Sequence, residues 1–262
     1  MRQNKLRTLL SRNESSVGTH IHSTWPAIIE IIGATRLFDY VEFTAEYAPY
    51  TLYDFENMAR AAELFGMSLM IKVDRSLQTY LAQRALGAGI QNVLFTDSRT
   101  PEDVCESVRS VRAETPQTKG TMGCAMRRDV GYVSECGSEA YVEALEQAVV
   151  AVMIEKQSLV DSLEEVLETR GIDMVQFGPC DYAMSIGIPG KRHDPRVRSA
   201  ERKMLTMALE RGIAPRVEVD SIDDAKPYLD MGVRHFCLGS ELSILRNWLA
   251  ENGSELRELL AC

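Results

Sequence analysis

Short apolar runs recur along the chain, and stretches with helical periodicity lie between them. The runs are Thr19–His22, Tyr40–Phe43, Ser68–Lys72, Asn92–Phe95, Val149–Ile154, Met174–Phe177, Ala214–Val217 and His235–Leu238. Brief, nearly continuous apolar runs of this kind are what strands buried on both faces look like in a parallel sheet. The helical stretches are Trp25–Ala34, Leu52–Phe65, Leu77–Leu86, Pro101–Glu114, Leu159–Thr169, Val197–Arg211 and Ile222–Met231. Gly66, Gly87, Gly171, Gly212 and Gly232 each follow such a stretch, where a left-handed glycine ends the last turn.

This alternation predicts a (β/α)8 TIM barrel, an α/β fold filling one domain from 1 to 262. The competing doubly wound open sheet favours a glycine-rich phosphate loop after its first strand, and THIHSTWPA has none. The long connection from Thr115 to Glu139 contains TKGTMGCAMRRDVGY, too long for a plain turn and expected to cover a site. The C-terminal segment SELSILRNWLAENGSELRELLAC reads as an amphipathic helix apolar enough to seek a partner surface.

Composition narrows the function classes. The 262 residues are 45% hydrophobic and 26% charged, with a net charge of -9 and scattered basic residues. That balance argues against nucleic acid as a partner. No window approaches the roughly 18 apolar residues of a membrane span. The basic N-terminus MRQNKLRTLLSRNESS lacks the apolar core of a signal peptide. Six cysteines without CxxC spacing fit a reducing compartment, so a cytoplasmic location is expected.

In a barrel of this kind the chemistry sits at the carboxyl ends of the strands. The fifth run, AVMI, is followed by Glu155, and the sixth, MVQF, by Gly-Pro-Cys-Asp181. Adjacent strands lie about 4.8 Å apart, so these carboxylates converge at the mouth. Left bare, two acids that close raise one another's pKa; a hard divalent cation removes the conflict. Two carboxylates with waters and substrate oxygens suit Mg²⁺ or Mn²⁺ better than zinc. The plainer alternative is that Glu155 pairs with Lys156 or a nearby arginine and merely caps a helix.

FDYVEFTAEYAP, AVMIEK and VQFGPCDYAMSIGIPG together resemble the HpcH/HpaI aldolases, from about Gly18 to Leu249. TKGTMG resembles that family's Arg-Gly-containing loop. The resemblance implies a class II aldolase that uses Mg²⁺, Mn²⁺ or Co²⁺ to cleave a 4-hydroxy-2-keto acid into a pyruvate enolate and an aldehyde. It implies Glu155 and Asp181 as metal ligands, and backbone amides around Gly178, Pro179 and Cys180 as receivers of the substrate carboxylate. It also implies a homo-oligomer, by family habit a hexamer, with the last helix packed on a neighbouring barrel.

The departures from the family are specific. Its Asp-Gly-Glu-His reads Thr44-Ala45-Glu46-Tyr47 here, its arginine after the third strand is Lys72, and its glutamine before the metal glutamate is Met153. The expected catalytic set is therefore Lys72, as a positive charge for the enolate oxygen, with Tyr47 and His20 as replacements for the lost base. Ligand-shaping roles fall to Met153, as an apolar pocket wall, and to Arg127, for a distal carboxylate or a neighbouring subunit. Within the same scaffold, a decarboxylase of an oxaloacetate-like acid and a non-catalytic keto-acid binder are the alternative readings.

Overall fold

The computed structural model describes residues 3–261. Eight strands, β1 (Ser16–Ile21), β2 (Tyr40–Thr44), β3 (Ser68–Val73), β4 (Asn92–Phe95), β5 (Val149–Ile154), β6 (Met174–Phe177), β7 (Ala214–Val219) and β8 (His235–Ser240), follow the expected runs. They close into a barrel in sequence order, with every neighbouring pair parallel. Closure excludes the open doubly wound sheet. Among the described residues, no helix is long and apolar enough to cross a membrane.

Two apolar layers hold the barrel. The larger lies between strands and helices and includes Val41, Phe43, Phe55, Ile71, Val152 and Leu205. The smaller fills the barrel axis: Tyr40, Met70, Leu94, Ala151, Met153 and Met174, joined by Leu6. Side chains two residues apart on a strand share a face. Two residues past Tyr40, Met70, Met174 and Ala214, the inner layer turns polar, with Glu42, Lys72, Gln176 and Arg216, all buried. The barrel thus has an apolar lower half and a charged upper half, at the end where its loops carry the chemistry.

A helix at Lys5–Ser11, in the segment read from sequence only as lacking a signal peptide, plugs the amino end of the barrel. Leu6 is wholly buried in the inner cluster. Asn4 Nδ2 donates to Asn92 Oδ1 at 2.8 Å and to the Gln147 carbonyl at 2.9 Å. Arg7 grips Asp173 through both oxygens, at 2.5 and 2.6 Å.

Three local expectations change. The helix placed over Leu159–Thr169 is two pieces, Gln157–Asp161 and Leu163–Leu167, joined at Ser162. The helix begun at Pro101 stops at Ser110, beyond which the chain makes a bridge from Ala113 to Met122. Gly87 does not end its helix: the helix runs to Ala88, and Gly89, at φ 107°, takes the left-handed position. Gly87 instead makes room for another chain segment, since a Cβ there would meet Arg127 Cδ at 2.1 Å. The C-terminal helix, Glu241–Ala261, keeps Ile244, Leu245, Trp248 and Leu256 exposed. Cys262 lies outside the described residues.

Candidate active site

The β5–β6 register sets Met153 beside Gln176 and Ile154 beside Phe177, which places Glu155 next to Gly178. The approach is close enough to require glycine: a Cβ at 178 would lie 2.6 Å from Glu155 Oε2 and 3.0 Å from Met153 Cε. Pro179 opens a helix over Pro179–Ser185, and Asp181 sits in its first turn. There a carboxylate is favoured by the positive end of the helix dipole.

Glu155 is buried, and its Oε1 accepts a 2.7 Å hydrogen bond from the Asp97 amide. Asp97 aims that N–H from a left-handed conformation, φ 56°, uncommon for a residue with a Cβ. Burial pushes the Glu155 carboxyl up to about 7, with Asp181 adding to the rise, while the Asp97 amide, Lys72 and Lys156 act against it. Among the described residues, no donor reaches Glu155 Oε2. Lys156 does not pair with Glu155, as the plain reading had it. Its ammonium bridges Asp97 Oδ1, at 2.6 Å, and Asp181 Oδ1, at 2.9 Å. Asp181 Oδ2 keeps no protein partner among those residues. Two carboxylates at one corner of the mouth, each with an oxygen uncommitted and one deeply desolvated, fit a hard divalent cation.

Lys72 lies across the mouth. Its Nζ is 2.9 Å from Tyr47 Oη and 2.9 Å from Glu46 Oε2, and sits over the Tyr47 ring at 4.5 Å. Burial works against the ammonium, but Tyr47 and Glu46 outweigh it and hold the pKa above the ordinary lysine value. An amine kept charged this way is a poor Schiff-base nucleophile. Burial pushes the Tyr47 phenol up to about 12, with Lys72 opposing, so the phenol keeps its proton while its oxygen accepts from Lys72 Nζ.

His20, in β1, and His22, one residue past its end, meet edge to face with ring centroids 5.3 Å apart, but take different partners. His22 stacks near Tyr47, ring centroids 6.4 Å apart, and its Nδ1 lies 3.5 Å from Glu241 Oε2. The His22 and Ser23 amides fix that carboxylate at 2.6 and 2.8 Å. His20 instead turns Nδ1 toward Glu218, at 3.8 Å, and Cys237, at 3.7 Å. His235, at the start of β8, is bonded to Ser16 Oγ, and burial pushes it down to about 4.

The expected ligand-shaping residues divide. Met153 lines the Glu155 pocket. The Gly178 amide donates to the Ile154 carbonyl and Pro179 has none to give, so only the Cys180 and Asp181 amides remain for an anion. Arg127 is not brought to the mouth by this chain. It crosses Gly87 on the outer helices, while Arg128 is held by Glu63 and the Ala88 carbonyl. Those partners lie at the carboxyl ends of their helices, on the far side of a barrel from its mouth.

Sequence reasoning missed the Asp97–Lys156–Asp181 bridge and the floor beneath the mouth. There Arg216, fully buried, pairs with Glu42, bonds Tyr40 Oη at 2.6 Å and is joined to Gln176 Oε1. Gln176 Nε2 in turn donates to Glu218 at 2.8 Å. The signal was available: YVEF sets Glu42, and PRVEV sets Arg216 beside Glu218, inside otherwise apolar strands.

The profile of the HpcH/HpaI aldolase/citrate lyase family matches residues 17–247. A 5-keto-4-deoxy-D-glucarate aldolase of Klebsiella pneumoniae subsp. pneumoniae is 24% identical over 244 residues, 93% of each chain. The crystal structure of an HpcH/HpaI aldolase/citrate lyase family protein from Burkholderia cenocepacia superimposes with a TM-score of 0.88 at 25% identity, over 97% of this chain and 100% of that one. A citrate lyase beta subunit from M. tuberculosis, complexed with oxaloacetate and magnesium, shares the fold at a TM-score of 0.59 and 11% identity, over 90% of this chain and 95% of that one.

Proposed function

The chain belongs to the HpcH/HpaI aldolase/citrate lyase family, and from that premise we propose that it cleaves and forms 4-hydroxy-2-keto acids as a class II aldolase. The observation that carries this reading is the paired carboxylates: Glu155, buried against Gly178 and raised to about 7, and Asp181 one strand away. Glu155 and Asp181 would hold a divalent cation, with Mg²⁺, Mn²⁺ and Co²⁺ the ions their all-oxygen chemistry admits. When bound, that cation is a Lewis acid that draws negative charge toward the substrate's keto oxygen.

This chain's residues do the rest. Lys72, kept protonated by Tyr47 and Glu46, presents a fixed positive charge where that oxygen gathers electrons. The Cys180 and Asp181 amides receive the substrate carboxylate. His22, whose ring stacks near Tyr47 and whose Nδ1 lies 3.5 Å from Glu241 Oε2, is assigned as the base in place of His20. It takes the C4 hydroxyl proton as the C3–C4 bond breaks, the bonding pair moves toward the keto oxygen, and the aldehyde leaves. Return of a proton to C3 gives pyruvate. Arg127 and the exposed apolar face of Glu241–Ala261 are assigned to contacts with neighbouring copies in a homo-oligomer, by family habit a hexamer.

The test is removal of metal by chelation and add-back of each ion with a panel of 4-hydroxy-2-keto acids. Pyruvate methyl exchange into D₂O is followed in parallel. Metal-restored cleavage that is lost in Glu155→Gln supports the reading. Cleavage that survives chelation sinks it. Exchange without cleavage of any hydroxy acid moves the function to decarboxylation of an oxaloacetate-like acid.

A further inference from the structure

We propose that His20, Glu218 and Cys237 form a second cation site, suited to a borderline divalent ion such as Zn²⁺ or Co²⁺, independent of the Glu155–Asp181 pair. The three residues come from β1, β7 and β8, consecutive staves of the barrel. Glu218 and Cys237 are direct register partners. Their ligand atoms and that of His20 all lie within 4.8 Å of one another.

The arrangement is not a proton relay. A thiol–imidazole–carboxylate relay needs its outer members on opposite ring nitrogens. Here Cys237 Sγ, at 3.7 Å, and Glu218 Oε1, at 3.8 Å, both converge on His20 Nδ1, which has one lone pair or one proton to offer. A carboxylate at 3.8 Å is also too far for a hydrogen bond. A cation inside the triangle satisfies all three groups at once. With bonds of about 2.3 Å to sulfur and about 2.0–2.2 Å to nitrogen and oxygen, tetrahedral edges are about 3.4–3.6 Å, a few tenths shorter than the His20–Cys237 and His20–Glu218 separations.

The ligand set selects the ion. Thiolate with imidazole and carboxylate favours zinc-like metals over magnesium, the reverse of the all-oxygen pair across the mouth. Cys237 is 1% exposed and forms the buried wall, while the Glu218 side chain is 40% exposed, so the fourth coordination position opens toward the mouth. Three protein ligands and one open position are the pattern of reactive rather than structural zinc sites. A supporting layer is in place: Gln176 orients Glu218 and is itself held by Arg216, which is paired with Glu42. Charge also closes. Glu42 offsets Arg216, Glu46 offsets Lys72, the other cation acting on Glu218, and a divalent ion balances the Glu218 carboxylate with the Cys237 thiolate. The thiol proton leaves to solvent as the sulfur–metal bond forms.

Cobalt distinguishes the two sites, because only one has a cysteine thiol among its proposed ligands. The full chain, freed of metal under reducing conditions, is titrated with Co²⁺ while the near-ultraviolet sulfur-to-cobalt charge-transfer band is recorded. The expected band saturates at one ion per chain. It disappears in Cys237→Ser, survives in Glu155→Gln, Asp181→Asn and the double variant Cys124→Ser/Cys136→Ser, which removes two thiols in contact with each other elsewhere in the chain, and needs at least about tenfold more cobalt in His20→Gln and Glu218→Gln. Near-ultraviolet circular dichroism checks that each variant is folded. No band in the parent protein, a band that persists in Cys237→Ser, or unmoved midpoints in both His20→Gln and Glu218→Gln would overturn the site. If Cys237→Ser does not fold, the last two variants decide. Loss of aldol cleavage with the band intact would count against the Glu155–Asp181 reading alone.

Discussion

Replacing Glu155 by glutamine isolates the electrostatic strain at the mouth. In the metal-free protein, burial lifts the carboxyl from its ordinary 4.5 to about 7. At about 1.36 kcal/mol for each pH unit, this is a difference of about 3 kcal/mol between neutral and charged forms in the folded state. The sign follows from linkage. A carboxyl whose folded pKa is raised keeps its full contribution below pH 4.5 and loses it as pH climbs through about 7. The substituted amide is never charged, and its side-chain oxygen can still accept from the Asp97 N–H. With chelator present, Glu155→Gln should therefore match the parent near pH 4.5 and exceed it by about 3 kcal/mol at pH 8. In a chain of this size that is roughly 6–12 °C in melting temperature. The assay is a thermal-melt series of both proteins from about pH 4.5 to about pH 8, with and without Mn²⁺. Saturating Mn²⁺ should close the gap at the alkaline end by stabilising only the parent, by about 2.7 kcal/mol at a hundredfold excess over Kd. A melting-temperature difference that stays flat across the pH series would refute the reasoning, because the carboxyl would then be solvated in the fold.

Three further outcomes follow from the same geometry. Gly178→Ala puts a methyl 2.6 Å from Glu155 Oε2 and should cost about 1–3 kcal/mol of stability, with metal affinity falling more steeply, measured by melting and by calorimetric titration. Arg216→Met should cost about 3–5 kcal/mol by stranding Glu42, and the double change with Glu42→Leu should recover most of it; a double-mutant cycle by chemical denaturation reads the coupling. Lys72→Met should lower kcat by about 10²–10³ while borohydride with pyruvate traps no imine in the parent, so a trapped adduct would reverse the role given to Lys72.

The barrel was legible because strands buried on both faces leave unbroken apolar runs, and the β4, β5 and β6 runs coincide with their strands to the residue. Glu155 and Asp181 stood out for the same reason, as charges placed where such runs end. The Lys5–Ser11 plug was hidden because its burial rests on one leucine and on polar bonds to distant strands, which leave no period. Ser162 interrupts a helix whose apolar spacing reads as continuous. Lys156 was read beside its sequence neighbour Glu155, whereas the strand-end turn sends its ammonium across to Asp97 and Asp181. The floor of the mouth depends on closure: Glu42 and Arg216 meet only when β2 and β7 face one another across a finished barrel.

That closure has an evolutionary edge. With both partners of the Glu42–Arg216 couple sealed from water, neither can drift alone without stranding its opposite. A lineage that has acquired them can leave only by changing two distant codons almost together. The surface is free to wander in the meantime, so the interior dipole behaves as a ratchet, holding descendants to whatever chemistry a polar floor permits.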